Sequence, residues 1–83
     1  MEYYFKARTL KQLQKLPKEI QIRIIKKLDF FCSHDDPIGF AEALVRSELG
    51  SYRFRIGDYR VIFDLEDDGL LILLVGHRRD IYR

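Results

Sequence analysis

The 83-residue chain has no tryptophan, one cysteine, one methionine and two prolines. With Cys32 as the only thiol, no intrachain disulfide can brace the fold, which excludes a small disulfide scaffold. The opening Met1-Glu2-Tyr3-Tyr4 lacks the basic-then-apolar layout of an export signal, so a reducing cytoplasm is the expected compartment. The longest apolar run, Leu70 to Gly76, falls far short of the roughly 18–20 residues that span a bilayer, and no membrane role is expected. An excess of one charge is missing too. Net charge is +2, and beyond Leu44 seven arginines face seven acidic residues, so bulk charge does not announce nucleic-acid binding. Such a length leaves room for one domain, residues 1–83, and a 47% hydrophobic content with Phe and Tyr as its large side chains suits a compact core.

What is present changes period partway along. Tyr3-Tyr4-Phe5 reads as a first strand, and Ala7 to Leu16 places Leu10, Leu13 and Leu16 at helical spacing. Pro17 cannot continue that helix but suits the first turn of the next, in which Ile20, Ile24, Leu28 and Phe31 form an apolar stripe. His34-Asp35-Asp36-Pro37 ends it with turn chemistry, and Phe40 and Leu44 suggest a short helical turn before Gly50. From Tyr52 the pattern alternates: Tyr52, Phe54 and Ile56 take turns with Arg53 and Arg55, then Tyr59, Val61 and Phe63 follow Gly57-Asp58. Leu70 to Val75 is uniformly apolar, as expected of a central strand buried on both faces. The expected fold class is α+β, a β-α-α-β-β-β domain with an antiparallel-rich sheet and both N-terminal helices packed on one face.

The hairpins decide where the charges go. A two-residue Gly57-Asp58 loop pairs Ile56 with Tyr59 and Arg55 with Arg60, so Arg53, Arg55 and Arg60 share one face. Like charges directly opposite cost a few tenths of a kcal/mol, roughly, and an anionic ligand would relieve that penalty. If Asp67-Asp68-Gly69 is a three-residue loop, Glu66 pairs with Leu70, Arg60 lies opposite Gly76, and Arg78 joins the cluster; a two-residue Asp68-Gly69 loop would instead send Arg78 to the core side. The three-residue loop is therefore expected. On that register Tyr52, Phe54, Ile56, Tyr59, Val61, Phe63, Leu71, Leu73 and Val75 face the helices. Ile62, Ile72 and Leu74 lie uncovered beside the arginines, where a separate chain is expected to dock.

The string Gly50-Ser51-Tyr52-Arg53-Phe54-Arg55-Ile56-Gly57-Asp58-Tyr59-Arg60-Val61-Ile62-Phe63, with Val75-Gly76-His77-Arg78-Arg79-Asp80-Ile81-Tyr82 near the end, resembles the RelE family within the RelE/ParE toxin superfamily. The Leu16-Pro17-Lys18-Glu19-Ile20 joint resembles it as well, so the likeness spans essentially the whole chain. It implies a compact toxin of a type II toxin-antitoxin system, neutralised by a cognate antitoxin that wraps it, and cleavage of messenger RNA on the ribosome. The implied reaction is attack of a ribose 2′-hydroxyl on its neighbouring phosphate. Carried over by position, Arg53 and Arg55 would hold phosphates, with Arg79 as a further RNA contact. Arg60 and Arg78 would stabilise the reacting phosphate, and Tyr82 would stack on or position a base. No cofactor and no metal are implied.

One departure concerns proton transfer. Where some relatives carry lysines this chain has Arg53 and Arg55, whose pKa above about 12 makes them reluctant bases, leaving Tyr82 and His77 as candidates. Plainer readings stand beside these. The arginines could form an ordinary solvated face, His77 a hydrogen-bonded structural residue, and Tyr82 a cap on the core's edge; Cys32 and Tyr59 read as packing. Competing functions are a ParE-like non-catalytic inhibitor of DNA gyrase and an inactive homologue. Arg60→Ala and Arg78→Ala are expected to abolish toxicity without unfolding the chain, since neither side chain should lie in the core.

Overall fold

The computed structural model describes residues 1–82. Strand β1 (Glu2–Phe5) leads into helices α1 (Ala7–Gln14) and α2 (Lys18–Cys32), a 3-10 turn (Pro37–Phe40) and a two-residue strand β2 (Glu42–Ala43). Strands β3 (Tyr52–Ile56), β4 (Tyr59–Glu66) and β5 (Gly69–His77) follow, then a single closing turn of helix, α3 (Arg78–Ile81). The five strands form one sheet in the order β1-β5-β4-β3-β2, with β1 parallel to β5 and every other pair antiparallel. The α+β class is as the sequence suggests, with β2 and α3 added.

Pro17 sits one position earlier than expected, at the N-cap of α2. Its carbonyl accepts from the Ile20 and Gln21 amides, and the Gln21 side-chain amide donates to the Leu16 and Gln14 carbonyls across the corner. Between the helices and the sheet lies the core: Leu13, Ile24, Leu28 and Phe31 against Phe54, Ile56, Val61, Phe63, Leu70, Ile72 and Val75. Its centre is a column of rings, with centroids 4.4 Å apart for Phe31 and Phe54 and 4.6 Å for Phe54 and Phe63. Offset stacks of this kind add to area burial and fix the helix-to-sheet register. Parallel pairing of β1 with β5 stops at Phe5–Ile72. Beyond it Lys6, the N-cap of α1, and then α1 itself satisfy the bare edge of β5: Lys6 N–H donates to the Ile72 carbonyl, Thr9 Oγ1 to the Leu73 carbonyl, and Val75 N–H to Gln12 Oε1. Fully buried Thr9 thus completes a ladder that β1 leaves unfinished.

The β4–β5 turn differs from the expected three-residue loop. Glu66 pairs with Gly69, which makes a two-residue Asp67-Asp68 turn, and the register then shifts by one between Ile62 and Phe63, leaving Leu73 as the extra residue of a bulge. Arg60 still ends opposite Gly76, as expected, because the bulge restores the parity that the shorter turn removes. On the turn side of the bulge the faces are exchanged. Leu70 and Ile72 are buried in the core, whereas Leu71 and Leu73, assigned there by alternation, are only partly covered. So β5 is not uniformly buried on both faces.

The opposite face is also less open than the sequence implies. Ile72 has left it, and Ile62 is fully buried, with Gly50 lying against it just ahead of β3. Gly50 makes that contact possible: a Cβ there would come 2.6 Å from Ile62 Cγ2. At the other end Ile81 of α3 packs on Gly76, 3.2 Å from the position a Cβ would take. The chain itself covers most of the apolar surface that the alternation left for a partner.

Candidate active site

The β3–β4 hairpin turns on Gly57, whose φ of 61° lies in the left-handed region that glycine occupies without strain. Ile56 pairs with Tyr59 and Arg55 with Arg60, the register read from the sequence. On the far edge of β3, strand β2 sets Glu42 directly opposite Arg53. One sheet face therefore carries Glu42, Arg53, Arg55 and Arg60 side by side.

The carboxylate of Glu42 bridges two of these cations. Arg53 Nη2 donates to Oε2 at 3.0 Å, and Arg55 Nε approaches Oε1 at 3.3 Å. The bond from Arg53 holds the Glu42 carboxyl below the usual carboxylate range, with the charges of Arg55 and Arg60 adding to it, so it is ionised at neutral pH. The same bond, followed by one to Tyr82, raises Arg53 further above an already high value. Arg53 Nη1 donates to the Tyr82 hydroxyl at 2.7 Å, and the guanidinium carbon sits 5.8 Å from the centre of that ring. Its Nε–H is buried without an acceptor among the described residues. Arg55 keeps 61% of its side chain exposed, and Tyr82 is 47% exposed. A continuous chain, Arg55–Glu42–Arg53–Tyr82, thus runs across the face from β3 through β2 to the end of α3.

Arg60 does not project freely. It is only 6% exposed, with Nη1 donating at 2.9 Å to both the Gly57 and Tyr59 carbonyls. The expectation that its side chain stays out of the buried interior is corrected here: the guanidinium folds back to satisfy its own hairpin while Ile81 packs on Gly76 directly across from it. Arg78 is also placed differently. Strand β5 ends at His77, and Arg78 opens α3 rather than extending the strand face. Its amide donates to the Asp58 carbonyl, and its Nε lies 3.7 Å from Asp58 Oδ1, at the tip of the β3–β4 hairpin.

His77 faces the helix side, its ring 5.3 Å from that of Tyr59. Nδ1 accepts from the amide of Arg79 and lies 3.4 Å from Arg79 Nε, so His77 caps α3 and holds the exposed Arg79 at the end of the face. The structural reading of this histidine is the one observed. Cys32 is buried, and that burial pushes its thiol up, away from a reactive thiolate. Glu42 is the site residue that the sequence did not single out. It lies on a strand too short to show alternation, separated from β3 by an irregular segment. The only signal is an acidic residue ahead of the Arg-x-Arg pair, with no register to place it.

Residues 3–82 match the family model described as ParE toxin of type II toxin-antitoxin system, parDE. Toxin RelG of Mycobacterium tuberculosis is 31% identical over 81 residues, covering 95% of this chain and 92% of that protein. Among solved structures, the toxin-antitoxin complex RelBE2 of Mycobacterium tuberculosis matches with a TM-score of 0.72 at 27% identity, over 92% of this chain and 95% of that one. The archaeal RelE-RelB complex of Pyrococcus horikoshii matches with a TM-score of 0.70 at 27% identity, over 95% and 96%. The RelB-RelE complex of Methanococcus jannaschii shares the fold, with a TM-score of 0.70 over 94% of this chain and 93% of that one, at 23% identity. By sequence and by fold together, the chain belongs to the RelE/ParE superfamily and is a toxin of a type II toxin-antitoxin system.

Proposed function

We propose that this toxin is a ribosome-dependent endoribonuclease that cleaves messenger RNA in the cytoplasm and so arrests translation. The observation that carries this reading is the face on which Arg55 is held directly opposite Arg60, with Arg53 beside them bonded to Tyr82. Three guanidiniums against the one carboxylate of Glu42 leave a local excess of positive charge, which a polyanion relieves. In the proposed reaction a ribose 2′-hydroxyl attacks the adjacent phosphate, giving a cyclic phosphate and a free 5′-hydroxyl. Arg53 and Arg55 hold the phosphates. Arg60, fixed beneath them, and Arg78, at the hairpin tip, oppose the charge that builds on the pentavalent phosphorus. The half-exposed ring of Tyr82 offers a stacking surface for a base, and Arg79 adds a backbone contact.

The likeness to RelB-RelE complexes supports a cognate antitoxin as the chain's protein partner. The decisive experiment adds purified protein to a cell-free translation reaction and maps message ends by primer extension, with and without ribosomes. Cleavage that needs ribosomes and is lost in Arg55→Ala supports the reading; intact message with unaffected translation refutes it. The ParE description of the matching family model favours one second reading, inhibition of DNA gyrase by binding. A supercoiling assay in which the protein traps gyrase–DNA cleavage, with message left whole, would select it.

A further inference from the structure

We infer that His77 is a positioning residue of the cleavage site, setting Tyr82 against Arg53 by capping α3; the assignment rests on the ribonuclease reading above. Helix α3 is a single turn, Arg78–Ile81, and so short a helix does not form alone, because fixing its dihedrals returns too few hydrogen bonds. Its place is decided by what holds its ends. At the start the Arg78 amide donates to the Asp58 carbonyl at 2.8 Å. The next amide, that of Arg79, lies in the first turn, where the helix itself offers no acceptor, and His77 Nδ1 accepts from it at 3.2 Å. At the far end Ile81 is buried against Gly76. Tyr82 follows immediately, its hydroxyl accepting from Arg53 Nη1 at 2.7 Å.

His77 is both the last residue of β5 and the N-cap of α3, so its side chain acts at the point where strand becomes helix. An amide can only donate, so Nδ1 carries no proton and the ring holds its proton on Nε2. The ring is kept in that orientation by Tyr59, its direct partner across β4 and β5, with centroids 5.3 Å apart and planes at 73°. Taking the acceptor away leaves Arg78 held by Asp58, so the chain still turns at the hairpin tip. Residues 79–82 lose the anchor at the start of their turn. The Tyr82 ring is half exposed, so packing alone does not fix it, and its place follows that of the α3 backbone. His77 thereby acts on the arginine face from the opposite side of the sheet, without touching the message.

Two substitutions divide the acceptor from the ring. His77→Phe keeps an aromatic ring against Tyr59 and removes Nδ1, whereas His77→Asn gives up the ring and keeps a side-chain acceptor of the kind favoured at an N-cap. The test follows single-turnover cleavage of an end-labelled message on saturating programmed ribosomes. Loss of an N-cap shifts a helix equilibrium by about two- to thirtyfold, so His77→Phe should be slower by more than about threefold and up to about thirtyfold, while His77→Asn stays within about threefold of wild type. A role in packing alone gives the reverse order. In a Tyr82→Ala background His77→Phe should add less than about threefold, because the residue it positions is gone. Thermal melts check that each variant is folded, and His77→Ser, a smaller capping side chain, replaces Asn if that variant does not fold. A folded His77→Phe within threefold of wild type, a folded capping variant outside it, or a threefold or greater added loss in the Tyr82→Ala background overturns the assignment while leaving the nuclease reading in place. A wild-type protein that cleaves nothing overturns both.

Discussion

Arg60→Ala is expected to weaken the fold itself. The guanidinium is nearly buried and its Nη1 donates to the Gly57 and Tyr59 carbonyls. A hydrogen bond from a charged donor contributes about 1.5–3 kcal/mol, and because one nitrogen serves both acceptors the pair is counted as one such bond. Removing the cation opposite Arg55 returns a few tenths of a kcal/mol, about, by relieving the like-charge pairing. The net loss is therefore about 2 kcal/mol. A domain of this length has roughly 4–12 kcal/mol in total, so the loss corresponds to a fall in Tm of about 8–16 °C. Arg55→Ala, by contrast, removes an exposed side chain and should change stability by less than about 0.5 kcal/mol. Urea unfolding followed by far-ultraviolet circular dichroism measures both. An Arg60→Ala variant with a wild-type midpoint, or an Arg55→Ala variant as unstable as Arg60→Ala, would refute the view that Arg60 braces the hairpin. The comparison also guards against misreading toxicity data, since Arg60→Ala can lose activity through the fold where Arg55→Ala can lose it only through the site.

Further outcomes follow from other contacts. Tyr82→Phe keeps the ring but removes the acceptor for Arg53 Nη1, so message cleavage should fall while the melting curve moves by less than about 0.5 kcal/mol; equal cleavage would show that the hydroxyl contact is idle. Gly50→Ala places a Cβ 2.6 Å from Ile62 Cγ2, and overpacking there should cost about 1–3 kcal/mol by calorimetry; an unchanged melt would mean that Gly50 does not lie against Ile62 in solution. Tyr4, bonded to Glu2 and Asp68, has its pKa pushed up from 10.0 to about 12, chiefly by the Glu2 bond, and Tyr3 is raised further by burial and then Asp29. A raised folded-state value means full stability below pH about 10 and a loss as pH climbs through about 12. Denaturant midpoints of a Tyr3→Phe, Tyr4→Phe double variant should lack that alkaline decline, and an equally steep decline in the variant would rule out these two groups as its source.

The arginine pairing was legible because a two-residue Gly57-Asp58 loop leaves one possible register, and strict alternation then assigns faces to Arg53, Arg55 and Arg60. The order of the long elements was legible for a similar reason: the stripe Ile20, Ile24, Leu28 and Phe31 has helical period, and Tyr52 through Phe63 has strand period. Both patterns repeat over enough residues to carry a signal. Four features were decided by tertiary structure alone. The Leu73 bulge exchanged the faces of half of β5, and a bulge leaves no mark in an unbroken apolar run. Strand β2 depends on pairing with β3 rather than on any pattern of its own, so Glu42 reached Arg53 unannounced. Arg60 was buried by carbonyls of its own turn, and Arg78 was drawn to Asp58 because the chain turns into α3 at His77. Periodicity records which way a side chain points within its element. It does not record which neighbour closes over it, and for Arg60, Ile62 and Glu42 that neighbour determines what the residue can do.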